Sequence, residues 1–144
     1  MGVSNDAILA FGFSLEENRP ECLESNDKNY EGFSDMVVDL ELKHPNDSFE
    51  YRRSDNSPEW RNYYEEVQKI KAECPVELIW FCSYEYPMYF VALKDTKIKA
   101  RRGDIEMVKM RNISSQELDK LKDFCKKYSI EWKEPNWFLF GMNG

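Results

Sequence analysis

The sequence predicts an α+β fold, a mostly antiparallel sheet built on a central β-hairpin and packed by two amphipathic helices. Three observations predict it. Residues 76–93, VELIWFCSYEYPMYFVAL, hold two apolar runs, Val76–Cys82 and Met88–Leu93, around the polar break Ser83-Tyr84-Glu85-Tyr86-Pro87. Two stretches of helical spacing carry start signals, at Ser57-Pro58 and at Ser114. Both ends of the chain, Ala7–Phe13 and Asn136–Phe140, are apolar and aromatic in a way that suits strands.

The hairpin comes first in the argument. Each of its runs is rich in β-branched and aromatic residues and has the usual length of a strand, about 5–7 residues. The break is short enough for a hairpin loop, and Pro87 cannot donate to a central ladder. Ala7–Phe13 is nearly all apolar and reads as a strand buried on both faces. Gly12 within it marks a bulge or a close backbone approach. Leu15 to Asn29 is polar and acidic, with Pro20 and Asn26-Asp27, and reads as an exposed loop with a helical turn. Tyr30–Leu42 fits two readings. Phe33, Met36, Val37 and Leu40 have helical spacing, but the chain from Val38 onward also alternates as a strand does. His44-Pro45-Asn46-Asp47 is a turn, and residues 46–57 are a polar connection.

The first clear helix spans Pro58 to Glu73. Ser57 stands at the N-cap, Pro58 at the first helical position and Glu59 in the first turn, and Pro75 ends it. Trp60, Tyr63, Tyr64, Val67 and Ile70 form its apolar stripe. Beyond the hairpin, Lys94-Asp95 is a turn and Thr96–Arg101 alternates as an amphipathic third strand. Ile98 and Ala100 face the core there, with Lys97, Lys99 and Arg101 on the other face. Gly103-Asp104 closes that strand, and Ile105–Val108 is expected to return as a further short one. The second helix, Ser115–Tyr128, opens with the capping box Ser114-x-x-Glu117 and carries the stripe Leu118, Leu121, Phe124, Cys125 and Tyr128. Asn136–Phe140 is then expected to dock against the first strand and tie both ends of the chain down.

A length of 144 residues suits one domain, with an acidic, loop-rich segment at about 14–56. An aromatic content of 15% argues against a disordered chain. No apolar run approaches the roughly 20 residues of a membrane span, so no membrane partner is expected. The N-terminal stretch lacks the basic region of a signal peptide, and Asp6 stands where a myristoylation motif requires Ser or Thr. The four cysteines are scattered, which fits reduced thiols in a cytoplasm rather than a disulfide framework.

Charge is the more telling quantity. The net charge of −7 is unevenly spread: residues 1–50 hold 12 acids against 3 bases, and the remainder 15 against 17. That asymmetry implies a negative face, which repels nucleic acid and attracts basic protein grooves. Direct nucleic-acid binding is therefore not expected.

Catalytic patterns are lacking. One histidine, His44, and scattered cysteines give no metal-ligand spacing, so no metal or cofactor is expected. Neither Gly-rich phosphate cradle occurs, nor a nucleophile elbow. Two places suit binding. The hairpin tip, Tyr84-Glu85-Tyr86, sets aromatic rings beside a carboxylate, and tyrosines serve well as interface anchors. Lys97, Lys99, Arg101 and Arg102 form a basic strand that can contact phosphates, guard a sheet edge, or pair with the acidic first third.

Three stretches also carry a resemblance. The chain opens Met1-Gly2-Val3-Ser4-Asn5-Asp6-Ala7-Ile8-Leu9 with Phe11-Gly12-Phe13. Its middle reads Val76-Glu77-Leu78 and then Cys82-Ser83-Tyr84-Glu85-Tyr86-Pro87-Met88. It ends Ile130-Glu131-Trp132-Lys133-Glu134-Pro135-Asn136-Trp137-Phe138-Leu139. Together these resemble a family of small bacteriophage accessory proteins. The resemblance spans about a third of the chain, implies a host cytoplasm and supplies no catalytic residues. It leads to the expectation of a non-enzymatic inhibitor of a host defence complex, of anti-CRISPR or anti-restriction type. Such a protein would hold a host protein or ribonucleoprotein through Glu16, Glu17, Glu21, Glu24, Tyr84, Glu85 and Tyr86. The alternative expectation is a protein that sequesters a nucleotide or signal molecule on Lys97, Lys99, Arg101 and Arg102.

Overall fold

The computed structural model describes residues 5–24, 28–42, 58–83 and 85–143. Along the chain run β1 (Asn5–Glu16), α1 (Phe33–Glu41), α2 (Pro58–Glu73), β2 (Val76–Cys82), β3 (Pro87–Leu93), β4 (Ile98–Ala100), α3 (Ser115–Lys127) and β5 (Asn136–Asn143). A 3-10 turn, Glu21–Glu24, follows β1. The expected α+β class holds.

The expected hairpin forms, from Val76 opposite Leu93 to Cys82 opposite Pro87. β5 lies antiparallel to β1 along its length, from Asn5 opposite Asn143 to Gly12 opposite Asn136, so the chain ends are paired as expected. The other edge of β1 takes β3 beside Gly12–Glu16 and β4 beside Ala7–Leu9. Between them the chain breaks step, and Thr96 mends the gap: the Phe11 N–H donates to Thr96 Oγ1, whose hydroxyl donates to the Leu93 carbonyl. A ladder bond is thus replaced by a side chain, which keeps buried backbone groups satisfied. Last, Cys82 of β2 meets Met142 of β5 in parallel. The order β2-β3-β1-β5 therefore returns to β2, and the sheet curls closed.

Closure makes two cores. On the enclosed side lie Ile8, Ala10, Ile79, Phe90 and Ala92, with Phe81 and Phe140 packed against them. Phe140 stacks at 4.7 Å centroid distance from both Phe81 and Phe90. On the outer side, Phe13, Leu15, Val76, Val91 and Leu93 meet Phe33, Met36 and Val37 of α1 and Leu121, Phe124 and Cys125 of α3. β3 is buried on both faces, since alternate residues serve each core. Gly12 is needed where β1 and β3 cross most closely: a Cβ there would stand 1.9 Å from the Val91 carbonyl oxygen.

Several expectations are corrected. Leu15 and Glu16 continue β1 rather than start a loop, because Leu15 is buried in the outer core. Residues 33–41 are a helix: Phe33, Met36 and Val37 need one shared face, although Leu40 of the same stripe is exposed. Of the stripe on α2 only Trp60 is fully buried, and Tyr64 turns outward. Ile98 and Ala100, expected to face the core, lie half-buried beside Leu9 and Ala7 outside both cores, because it is Lys99 that stands opposite Ile8. Residues 105–108 form no strand and are exposed. α3 is capped as expected: Ser114 Oγ accepts the Glu117 N–H at 3.2 Å. It closes with Ser129 in the left-handed region (φ 57°) and the Ile130 N–H bonded back to the Cys125 carbonyl. His44, the turn 44–47, the connection 46–57 and the Ser57 cap lie outside the described residues.

Candidate protein-binding surface

The hairpin loop and the end of β1 meet at one corner of the sheet. β1 finishes in a bulge, where Ser14 pairs with Phe90 but Glu16 pairs with Tyr89. Glu16 takes a positive φ of 56°, and its N–H donates to Ser14 Oγ at 3.0 Å. Asn18 N–H then closes a turn onto the Leu15 carbonyl. Across the corner, Cys82 ends β2 with φ 78° and the Tyr86 N–H donates to Ser83 Oγ. Two non-glycine residues in the left-handed region at one corner are unusual, and such positions gather where the surroundings over-determine the backbone.

The result is an open notch of about 500 Å³ lined by Glu16, Glu17, Cys82, Glu85, Tyr86, Pro87 and Met88. All three carboxylates are exposed, and Tyr86 is 75% exposed. Four of the residues singled out from the sequence, Glu16, Glu17, Glu85 and Tyr86, are thereby brought together. Glu21 and Glu24 are not among the lining residues. Glu24 instead pairs with Arg19 at 2.9 Å, and Arg19 also donates to Asn29 and to the Tyr30 carbonyl. Tyr84 lies outside the described residues.

A second groove, of about 420 Å³, adjoins the first through Pro87 and is lined by Arg19, Glu31, Leu78, Trp80 and Tyr89. Trp80 and Tyr89 are cross-strand partners, so their side chains share the outer face. Sequence reading passed over this pair, yet the alternation within each run and the hairpin register contain it.

The basic strand is arranged differently. Lys97 pairs with Glu77 at 3.1 Å and Lys99 with Asp6 at 3.0 Å. The second pair is of the kind expected between this strand and the acidic first third. Arg101 and Arg102 sit in the exposed turn that follows.

Among the described residues no group of three or more His, Cys, Asp or Glu side chains comes together in a way that could hold a metal ion. All four cysteines are free thiols. Burial pushes the Cys125 thiol up to about 11 and also raises Cys22 and Cys74, so these three are held protonated at neutral pH. No described helix is long and apolar enough to cross a membrane. Comparison of the chain with protein-family models, curated proteins and solved structures finds no match.

Proposed function

We propose that the protein is a non-enzymatic phage inhibitor that docks its acidic notch into a basic groove of a host defence complex, of the anti-CRISPR or anti-restriction type, in the host cytoplasm. The observation that supports this reading most is the meeting of Glu16, Glu17 and Glu85 with the exposed ring of Tyr86 on one corner. Exposed carboxylates steer a basic surface and give the encounter its salt dependence. A tyrosine beside them supplies rigid contact area and a face for an arginine or lysine cation. The residues of the sequence resemblance at the hairpin, Cys82 and Glu85 to Met88, line this same corner. The sequestering alternative is not favoured, because Lys97 and Lys99 already serve ion pairs within the chain.

The test is capture of partners from infected host lysate with the tagged protein, under low-salt and high-salt washes. A protein or ribonucleoprotein held at low salt and released at high salt is expected. Combined Glu16→Gln, Glu17→Gln and Glu85→Gln should abolish capture, and Tyr86→Ala should weaken it by at least about tenfold, the scale of an anchor residue. Glu21→Gln with Glu24→Gln should leave it intact. Capture that is indifferent to the notch changes overturns the proposal.

A further inference from the structure

The turn after β4 ends in a segment that pairs with no strand among the described residues. Asp104 N–H donates to the Arg101 carbonyl at 2.9 Å, and Asp104 Oδ2 accepts the Arg101 N–H at 3.1 Å, so residues 101–104 form a closed β-turn. From there Ile105, Met107, Val108 and Met110 are exposed, Ile105 by 98% and Met107 by 81%. Among the described residues no hydrogen bond reaches the backbone of residues 105–110. Scattered surface apolar residues need no explanation, but four within six residues do. Meanwhile, among the described residues, β4 pairs with β1 on one edge and its other edge takes no strand.

Continuing the turn as a two-residue hairpin sets Ala100 opposite Ile105, Lys99 opposite Glu106, Ile98 opposite Met107 and Lys97 opposite Val108. The match is good on both faces. Ile98 and Ala100 share a face with Leu9 and Ala7 of β1, and Leu139 (74% exposed) lies beside Leu9 on that same face. Ile105 and Met107 would therefore extend an apolar surface that already exists. On the other face Glu106 would join Lys99, which already holds Asp6. Opposite charges directly across a strand pair are favourable.

Turn geometry explains why the pairing is open. Gly103 has φ +90°, whereas Arg102 is not in the left-handed region. That sign pattern belongs to a type II turn. Type II turns splay the flanking strands, while the type I′ turn that suits a two-residue hairpin needs positive φ at both central residues. Arginine resists the position that asparagine or glycine accepts readily.

We infer that residues 105–108 are a strand-forming strap for the free edge of β4, held open by the Arg102-Gly103 turn, and that the occupant of that edge is this chain's own strap. The inference is independent of the notch and of its partner. Closure places Ile105 and Met107 beside Ala100 and Ile98. Opening leaves the β4 edge and the apolar strap both accessible.

The test converts the turn. Arg102→Asn creates an Asn-Gly turn without touching the core, and far-UV circular dichroism checks that the fold is kept. Amide hydrogen exchange across residues 97–110 should slow at least tenfold in the variant. NMR should show cross-strand contacts between residues 98 and 107. Adding Glu106→Lys, which sets like charges opposite Lys99, should reverse most of that protection. Exchange as fast as in the unaltered protein, with no cross-strand contacts, overturns the inference. So does protection that grows with protein concentration while the sedimenting mass doubles, because the occupant is then a second copy.

Discussion

β2 and β4 are each followed by a segment with the composition of a strand, and the two segments end differently. The first is β3, whose Phe90 and Ala92 enter the enclosed core while Val91 and Leu93 enter the outer one. β3 also has a partner on each edge, β2 and β1. The second is Ile105-Glu106-Met107-Val108, a segment of comparable β-propensity that stays in solvent. The difference lies in what each segment meets. Strand formation follows packing and available partners more than intrinsic preference. A two-residue turn of the wrong hand removes the one partner that the second segment had.

The strongest way to break this comparison is to remove a partner of β3. Gly12→Ala would place a methyl group 1.9 Å from the Val91 carbonyl oxygen, a backbone atom that cannot swing aside. The β1–β3 ladder would have to separate. The expected outcome is loss of the native fold, read as loss of a cooperative urea transition. A variant with unchanged stability would mean that β1 and β3 do not cross closely in solution. Phe90→Ala is the next largest effect. It empties the centre of the ring cluster formed with Phe138 and Phe140, and should cost about 3–5 kcal/mol by denaturant unfolding. The matching change in the second segment, Met107→Ala, should fall within about 0.5 kcal/mol of zero. Equal losses at the two positions would erase the distinction between them.

What could be read from the sequence follows the same division. The hairpin, the span of α2, the cap of α3 and the docking of the last strand on the first are written in apolar runs, caps and apolar ends, which are local signals. The acidic tip was legible as composition. Its assembly with Glu16 and Glu17 was not, because it depends on where β1 stops beside β3. Leu15 reads as the start of a polar stretch until the outer core claims it. Tyr30–Leu42 stayed open between helix and strand because its apolar residues satisfy both periods, and only packing of Phe33, Met36 and Val37 on one face decides. Closure of β2 onto β5 takes, among the described residues, one backbone pairing at Cys82 and Met142 and the stacking of Phe81 on Phe140, which no sequence pattern announces. The unpaired strap differs for the opposite reason: its pattern is that of a strand, and the obstacle is the backbone conformation of Arg102.

The far end of that strap gives a small effect and the clearest pH dependence. The segment is anchored where α3 begins: Ser114 caps the helix, and Arg111 meets Glu117 at 2.6 Å. Arg111, through its hydrogen bond, is the main cause that holds the Glu117 carboxyl below its usual range, with smaller help from Ser114. A carboxyl lowered in the folded state adds stability above its unfolded value and loses it as pH falls through the folded value. The first turn of α3 should therefore loosen only on acidification below the ordinary glutamate range. Salt should weaken the effect, because the pair is partly exposed. Ser114→Ala should cost about 1 kcal/mol at neutral pH, the usual worth of a serine cap. Amide exchange at Glu117 and Leu118, followed against pH, separates the two contributions. The Ser114 variant should exchange faster at every pH, and Arg111→Gln should quicken exchange modestly at neutral pH and flatten the acid step, because the stability that acid removes is then already lost. An acid step that stays undiminished without Arg111 would show that the ion pair does not anchor the strap, and that the cap alone fixes where the exposed segment ends.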